Sequence, residues 1–200
     1  MTIRNRIDEV LAAMPGAQYA RRQKQDIDTV MIHRIEPSEM GRNLGLQIEP
    51  SVVGLARAFT DPRTHIGKMA YSILIKPDGQ IEQALPLSYV SPHGKRWNFR
   101  AVGVAWVGDF TREPPTGAQM AAGEWLLRWL VQSLCPKHSV TFDGAVYPCM
   151  IGHTEAPDST SDPDKVCPGD KLPMSELRTR VFSLIQTDAW TTMSGAGAVF

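Results

Sequence analysis

Residues 28–35 read DTVMIHRI, an apolar and β-branched run whose length is typical of a buried strand. Further along the chain, residues 70–75 (AYSILI) and 80–84 are two strand-like runs that enclose a KPDG turn, and residues 100–108 (RAVGVAWVG) form another. Residues 146–151 suit a further short strand. Helical spacing of apolar residues predicts helices at 4–14, 50–60, 116–134 and 175–187. This order predicts a single α/β domain with a central β-sheet flanked by helices.

The composition excludes several classes of protein. The chain has 200 residues, enough for one domain with an ordinary core, and 42% of them are hydrophobic. Its 21 basic and 21 acidic side chains balance, so no long-range attraction to nucleic acid or to an anionic membrane is expected. We therefore expect no nucleic-acid partner and no stable membrane insertion.

The two ends of the chain differ from its middle. We interpret residues 1–27 as a helical N-terminal extension, residues 28–190 as the main domain and residues 191–200 as a flexible tail. The longest apolar run near the start, residues 10–14, is too short for the core of a signal peptide. We therefore expect the protein to be cytoplasmic at synthesis, with any export by a separate route.

Three residues have the chemistry of a zinc site. His33 lies near the end of the first strand, His153 follows Gly152, and Cys167 lies in the polar segment 156–168. Two imidazoles and a thiolate favour zinc and would leave a fourth position open to water. Each residue alone also fits a structural role, His33 as a half-buried histidine and Cys167 as a small buried side chain in a turn.

Other residues near these positions have two interpretations each. Lys165 lies two residues before Cys167, so an extended backbone would turn both side chains to one site, where the ammonium could stabilise an oxyanion. It could equally be a solvated lysine. Tyr71 opens a strand and could belong to the core. The segment SPHGKRWN could supply a sugar platform or a lid on the core. Its candidate residues are His93, Trp97 and Asn98.

Four motifs in a fixed order carry a family resemblance. They are TVMIHRI, then AYSILIKPDGQIEQ, then SPHGKRWNFRAVGVAWVG, and finally GHTE with KVCPG. In this order, from His33 to Gly169, the chain resembles the zinc N-acetylmuramoyl-L-alanine amidases that are related to phage lysozyme-amidases and peptidoglycan recognition proteins. The resemblance implies a mixed central sheet of that fold, an amidase domain over residues 28–190, and a peptidoglycan or muropeptide substrate.

The resemblance also implies roles for individual residues. One zinc ion per chain would be held by His33, His153 and Cys167. Tyr71 and Lys165 would form the catalytic pair. The residues that would line the substrate groove are His93, Trp97 and Asn98.

The chain departs from the family pattern in three places. Arg34 and Ile35 follow the first ligand, where many members have a second histidine or a threonine. Ala105 occupies the strand position where many cytosolic recycling members carry a glutamate. The loop between His153 and Lys165 is longer and more acidic than in the small phage enzymes. The missing glutamate favours the phage-like group, which uses the tyrosine and the lysine.

Several functions stay open at this level. We expect a monomeric, phage-like endolysin that acts on the cell wall after release. A cytosolic cell-wall-recycling amidase, a delivered effector and a non-catalytic peptidoglycan-binding module are the alternatives within the family. Outside it, His153-Thr154-Glu155 matches half of a nucleobase-deaminase signature, but the P-C-x-x-C half does not follow. A cysteine hydrolase would leave Lys165 and the second histidine unexplained.

Overall fold

The computed structural model describes residues 1–160, 165–186 and 200. Its strands are β1 (Ile3–Asn5), β2 (Thr29–Ile35), β3 (Ile73–Ile75), β4 (Ile81–Gln83), β5 (Ala101–Val107), β6 (Ser139–Phe142), β7 (Ala145–Pro148) and β8 (Met150–Gly152). Its helices are α1 (Ile7–Ala13), α2 (Pro37–Leu44), α3 (Val52–Phe59), α4 (Gly117–Leu134) and α5 (Met174–Gln186).

Six strands form one mixed sheet in the order β1-β4-β3-β5-β2-β8. Strand β2 pairs in parallel with both β5 and β8, and β3 is parallel to β5. The antiparallel pair is β3 with β4, which are joined by the tight turn that the KPDG sequence predicts. The predicted α/β class with a mixed central sheet is confirmed. Because β2 and β8 are parallel neighbours, the residues at their carboxyl ends lie side by side.

Helices cover both faces of the sheet. Helices α4 and α5 pack on one face, in a core cluster with residues of β2, β3 and β5. Helices α1 and α3 pack on the other, around Leu74 and Ala105. The central strands β2, β3 and β5 are therefore buried on both sides, which explains why their sequences are apolar runs and do not alternate.

Helix α4 lies unusually close to β5. Thr116 caps the helix as predicted, since its Oγ1 accepts a hydrogen bond of 3.0 Å from the backbone N–H of Gln119. Glycine at position 123 makes room for the indole of Trp106, because a Cβ there would lie 2.1 Å from the ring. The contact is possible only with a glycine on the helix.

Replacing Gly123 by alanine is expected to lower the free energy of unfolding by about 1–3 kcal/mol, because the added methyl overpacks the core. Gly117→Ala is the matched control in the same helix, since a Cβ at position 117 has no neighbour within 4 Å. It should be neutral or stabilising by up to about 1 kcal/mol. Urea unfolding measures both variants, and equal midpoints would contradict the close approach.

Within the first 27 residues, interpreted as a helical extension, Ile3–Asn5 form an edge strand of the sheet and Ile7–Ala13 form a helix that packs on α3. Residues 4–14, predicted as one helix, divide into the edge strand β1, parallel to β4, and the shorter helix α1. Asn5 Oδ1 accepts a hydrogen bond of 3.0 Å from the N–H of Ile7, which favours a helix start there. Val10 and Met14 are buried against α3, so this segment shares the core.

Two further elements lie where no regular structure was predicted. Helix α2 has few apolar residues, and its signals are the proline at its start and Gly45 in the left-handed conformation (φ +64°) at its end. The β6–β7 hairpin turns at Asp143-Gly144 and forms a separate two-stranded sheet. The strand predicted at 146–151 is thus divided between two sheets.

The ends of two predictions lie outside the described residues. The last helix, predicted to end at residue 187, is described from Met174 to Gln186. Of the predicted tail at 191–200, residues 191–199 are likewise outside. Among the described helices, none combines the length and the apolar character that crossing a membrane requires.

Candidate metal centre

The carboxyl ends of β2 and β8 bring two histidines together. His33 is the fifth residue of β2, and His153 directly follows β8. Both side chains are buried, and their ring centroids are 4.6 Å apart. Ligands collect at this edge of parallel sheets because the chain leaves every strand there.

The third candidate ligand, Cys167, lies in a segment whose backbone position is fixed by hydrogen bonds and by a glycine. The carbonyl oxygen of Cys167 accepts hydrogen bonds from the N–H and the hydroxyl of Thr154, at 3.0 and 2.9 Å. Gly169 has a φ of +110° and a Cβ there would lie 2.6 Å from the backbone of Phe110. The glycine of the KVCPG motif is therefore required by the path of the chain.

Donor atoms of His33, His153 and Cys167 lie within 4.8 Å of one another. The Cys167 Sγ is 3.9 Å from His33 Nδ1. His153 Nε2 lies 3.1 Å from the carbonyl oxygen of Ser159, whereas its Nδ1 is buried without a hydrogen-bond partner among the described residues. Two imidazole nitrogens and one sulfur fit zinc, and the unpartnered nitrogen is the atom that a metal would take.

Burial favours the protonation states of the histidines that ligation needs. It lowers the pKa of His33 well below the usual value and that of His153 to about 4, so both rings are neutral at pH 7. Burial raises the pKa of the Cys167 thiol, while the N–H of Arg34 and the charges of Lys165 and Arg34 act in the opposite direction. Metal binding would therefore displace the thiol proton.

Tyr71 and Lys165 lie beside the three candidate ligands. The Tyr71 ring centroid is 5.1 Å from that of His33, and burial raises the pKa of its phenol above the usual value. Lys165 is exposed, and its charge is close enough to lower the pKa of both ligand histidines, after the larger effect of burial. Tyr71, Lys165 and Cys167 together line a groove of about 600 Å³.

The structure does not bring the three predicted groove residues to that groove. Trp97 is fully buried, stacks on Phe142 at 4.3 Å and donates its indole N–H to the Pro157 carbonyl. This tryptophan is therefore not an exposed platform for a sugar. It forms part of a lid on the core, which was the alternative interpretation. Asn98 Oδ1 accepts hydrogen bonds from the backbone N–H groups of His93 and Gly94, at 2.9 and 2.6 Å.

His93 lies behind His33. It is 7% exposed, and its Nδ1 is 3.1 Å from His33 Nε2. Burial lowers its pKa to about 3, with the charge of Arg22 adding to the effect. Both ring nitrogens of His93 therefore have a partner, since Nε2 lies 3.1 Å from the Ala101 carbonyl.

Two departures from the family pattern have clear positions. Ala105 pairs with His33 in the register of β2 and β5, so a methyl group occupies the place beside the ligand where a carboxylate would stand. Arg34 donates to the Val166 carbonyl at 3.1 Å and to Asp109 at 2.8 Å, and thereby ties the end of β2 to the cysteine segment. Of the acidic loop, residues 161–164, which include Asp162 and Asp164, lie outside the described residues.

Sequence reasoning missed residues that support the site. Ser159 accepts a hydrogen bond from His153 Nε2 through its backbone, and its hydroxyl bonds back to the His153 carbonyl at 2.5 Å. Arg22 is 3% exposed and donates to four backbone carbonyls. A serine in a polar loop has no sequence signal, and neither does an arginine in the polar run RRQKQD at residues 21–26.

Acid is expected to unfold the metal-free protein. His33, His93 and His153 are neutral when folded, whereas an unfolded histidine binds a proton below about pH 6.5. Stability is therefore fully present above that pH and is lost as the pH falls towards their folded values, by about 1.4 kcal/mol per pH unit for each histidine. Between pH 6.5 and pH 4 the three histidines together cost about 10 kcal/mol. A domain in the lower half of the ordinary range of about 5–15 kcal/mol should therefore unfold before pH 4.

Urea unfolding in EDTA at pH 7, 6 and 5 measures this loss. The variant His153→Gln serves as the control, since it should reduce the pH dependence by about a third. Equal stability at pH 7 and pH 5 would be incompatible with three buried neutral histidines.

Comparison with solved structures first defines the class of fold. The chain is similar to peptidoglycan recognition protein-LE, solved in complex with tracheal cytotoxin, with a TM-score of 0.62, 21% identity and coverage of 89% and 93% of the two chains. It is similar to the Ph2119 endolysin from a Thermus scotoductus bacteriophage, with a TM-score of 0.60, 18% identity and coverage of 90% and 98%. At these identities the likeness shows a shared fold.

The sequence profile of the N-acetylmuramoyl-L-alanine amidase family matches residues 23–170, and the chain belongs to that family. Among curated relatives, it is 27% identical over 112 residues to a peptidoglycan-recognition protein of Drosophila melanogaster, covering 55% of the chain and 52% of the relative. The chain spans about half the length, or less, of the curated relatives that it matches.

Proposed function

We propose that this chain is a zinc-dependent amidase that hydrolyses the bond between N-acetylmuramic acid and L-alanine in peptidoglycan. One observation carries the proposal: the donor atoms of His33, His153 and Cys167 converge within 4.8 Å, with one imidazole nitrogen buried and unpaired among the described residues. An unsatisfied buried polar atom costs about 1–3 kcal/mol, a cost that ligation removes. Three ligands with an open fourth position are typical of a catalytic zinc site.

Zinc bound by these residues would supply Lewis-acid polarisation of the scissile carbonyl and a water acidic enough to react near neutral pH. The chain itself supplies charge and orientation. The Lys165 ammonium, exposed on the groove, stabilises the negative charge that develops on the carbonyl oxygen. The Tyr71 hydroxyl, kept protonated by burial, orients the attacking water or passes on its proton.

Ala105 supports this division of roles. It is fully buried beside His33 and carries no group that can accept a proton. A glutamate base on β5, as in recycling members of the family, is therefore not part of this mechanism. Among the described residues that line the groove next to Cys167, Tyr71 and Lys165 are the two for which the family resemblance implies a catalytic role.

The groove suits a sugar–peptide substrate. It combines charged side chains such as Glu36 and Glu39 with apolar ones such as Met40 and Ile66, as a ligand with both polar and apolar parts requires. Peptidoglycan recognition protein-LE was solved with monomeric diaminopimelic acid-type peptidoglycan. We propose a muropeptide or the polymer as the substrate here, with the protein acting as a monomer.

The biological role that we propose is that of an endolysin, acting on the wall after release from the cell. The alanine at position 105 and the likeness to the Ph2119 endolysin support this role. Recycling and delivered-effector roles are the alternatives with the same chemistry. A binding-only module is disfavoured because both histidines and Cys167 are present together.

Products from purified peptidoglycan test the proposal. Mass spectrometry should find stem peptides with a free alanine amino terminus, and the activity should be lost in EDTA and return with zinc. The zinc-free protein should keep its circular dichroism at pH 7, since a three-ligand site sits on an existing core. Intact glycan–peptide linkages after prolonged incubation with the zinc-loaded protein would refute the amidase.

A further inference from the structure

His33 is one end of a hydrogen-bond chain whose direction the structure determines. The Ala101 carbonyl can only accept, so His93 Nε2, 3.1 Å away, carries a hydrogen. In the neutral ring, His93 Nδ1 is then an acceptor, and the His33 Nε2 atom 3.1 Å from it must donate. The lone pair of His33 is thereby left on Nδ1, the nitrogen that lies 3.9 Å from Cys167 Sγ.

We propose that His93 is a positioning residue, which fixes the tautomer and the ring orientation of His33 so that Nδ1 points at the metal. This inference rests on the proposed function, in which His33 is a zinc ligand. It replaces the expectation that His93 lines the substrate groove, because both of its ring nitrogens are already engaged. Ligating histidines generally bond an outer partner through the second nitrogen, and Ser159 does the same for His153 with a backbone carbonyl.

The imidazole of His93 is itself tightly held. Its ring is perpendicular to that of His33, at an interplanar angle of 89° and a centroid distance of 5.1 Å. On its other side lies Gly103 of β5, where a Cβ would come within 2.9 Å of His93 Cγ. The Asn98 side chain holds the backbone N–H of the same histidine. The ring therefore has little freedom to rotate away.

Arg22 holds the far end of the hydrogen-bond chain that starts at His33. One of its Nη atoms donates to the Ala101 carbonyl at 2.7 Å, to the same oxygen that His93 approaches, and also to the Asn98 and Phe99 carbonyls. Burial lowers the pKa of Arg22 only to about 10, so it remains a cation at neutral pH. It fixes the start of β5, where the Ala101 carbonyl sets the tautomer of His93.

Two substitutions at position 93 separate hydrogen bonding from packing. Glutamine keeps an oxygen that can accept from His33 and an amide N–H that can donate to Ala101. Phenylalanine keeps the ring volume and loses both bonds. Loss of an outer partner typically weakens metal affinity on the order of 10- to 100-fold. We expect a loss of that size for His93→Phe and recovery of most of the affinity in His93→Gln.

The experiment measures two properties besides activity. Chelator competition gives the zinc dissociation constant of each variant. Nitrogen-15 NMR of the histidine rings in the zinc-free proteins reports which His33 nitrogen is protonated. We expect Nε2–H in the wild type and in His93→Gln, and a mixture of tautomers in His93→Phe. Melting temperatures of the zinc-free variants show whether they are folded.

A second variant covers the case in which His93→Phe does not fold. Gly103→Ala retains the histidine but displaces its ring, and should weaken zinc binding in the same direction. Wild-type affinity together with an unchanged His33 tautomer, in whichever of the two variants folds, would overturn the inference. A wild type that binds no zinc would instead refute the proposed function, while the NMR comparison would still decide whether His93 sets the tautomer.

Discussion

Replacing Cys167 by alanine is expected to remove the zinc and the activity together. The thiolate is the anionic member of the donor set, and the methyl group of alanine cannot ligate. Because loss of an outer partner alone costs on the order of 10- to 100-fold in affinity, loss of a ligand should cost more than about 100-fold. Metal analysis after dialysis should find one zinc per wild-type chain and almost none in the variant.

Cys149→Ala is the matched control. Both cysteines are buried, Cys149 fully and Cys167 with 3% of its surface exposed. Cys149 lies at the opposite end of β8 from His153 and therefore outside the candidate site. It should lose some stability from the small cavity and keep its zinc and its kcat. If Cys167→Ala retained a full equivalent of zinc, Cys167 would be excluded as a ligand.

Lys165→Ala is expected to lower kcat on the order of 100- to 1,000-fold with little change in KM, because the ammonium meets charge that appears only in the transition state. Lys171→Ala, at another exposed lysine of the same segment, should be close to wild type.

Tyr71→Phe removes only the hydroxyl and should lower kcat by a factor of about 100 or more.

Zinc content and melting temperature must be measured in each of these variants, since a protein without metal would mimic a catalytic defect. Near-normal kcat in zinc-loaded Lys165→Ala and Tyr71→Phe would leave the fold and the ligands in place and reject the mechanism. The acidic loop, with Glu155, Asp162 and Asp164, would then be the next place to search for a base.

The sequence predicts the central strands well, because burial on both faces leaves a signal within each strand. It does not predict β1, whose three residues are ordered by pairing with β4, 78 positions further along the chain (Ile3 with Ile81). Helix α2 is missed because it buries little apolar surface. Parallel or antiparallel pairing is likewise set by contacts between distant segments, which a local pattern does not contain.

The candidate ligands were predicted from residue type and order, and the structure brings their donor atoms together. The position of the segment SPHGKRWN was not predictable, because the burial of Trp97 depends on Phe142 of the later β6–β7 hairpin. Side chains that look exposed and polar in a loop become internal once another segment covers them. His93 is such a case, since its partner is 60 positions earlier in the chain.

The close approach of Gly103 to His93 couples two positions on different segments. A residue larger than glycine at 103 would collide with the imidazole, whereas a chain without a ring at 93 would have space for it. Gly103→Ala should therefore be much less damaging in a His93→Ala background than in the wild type, a non-additive pair of substitutions. Evolution can thus exchange the glycine easily only after the histidine has gone, so the order of substitutions along a lineage is constrained.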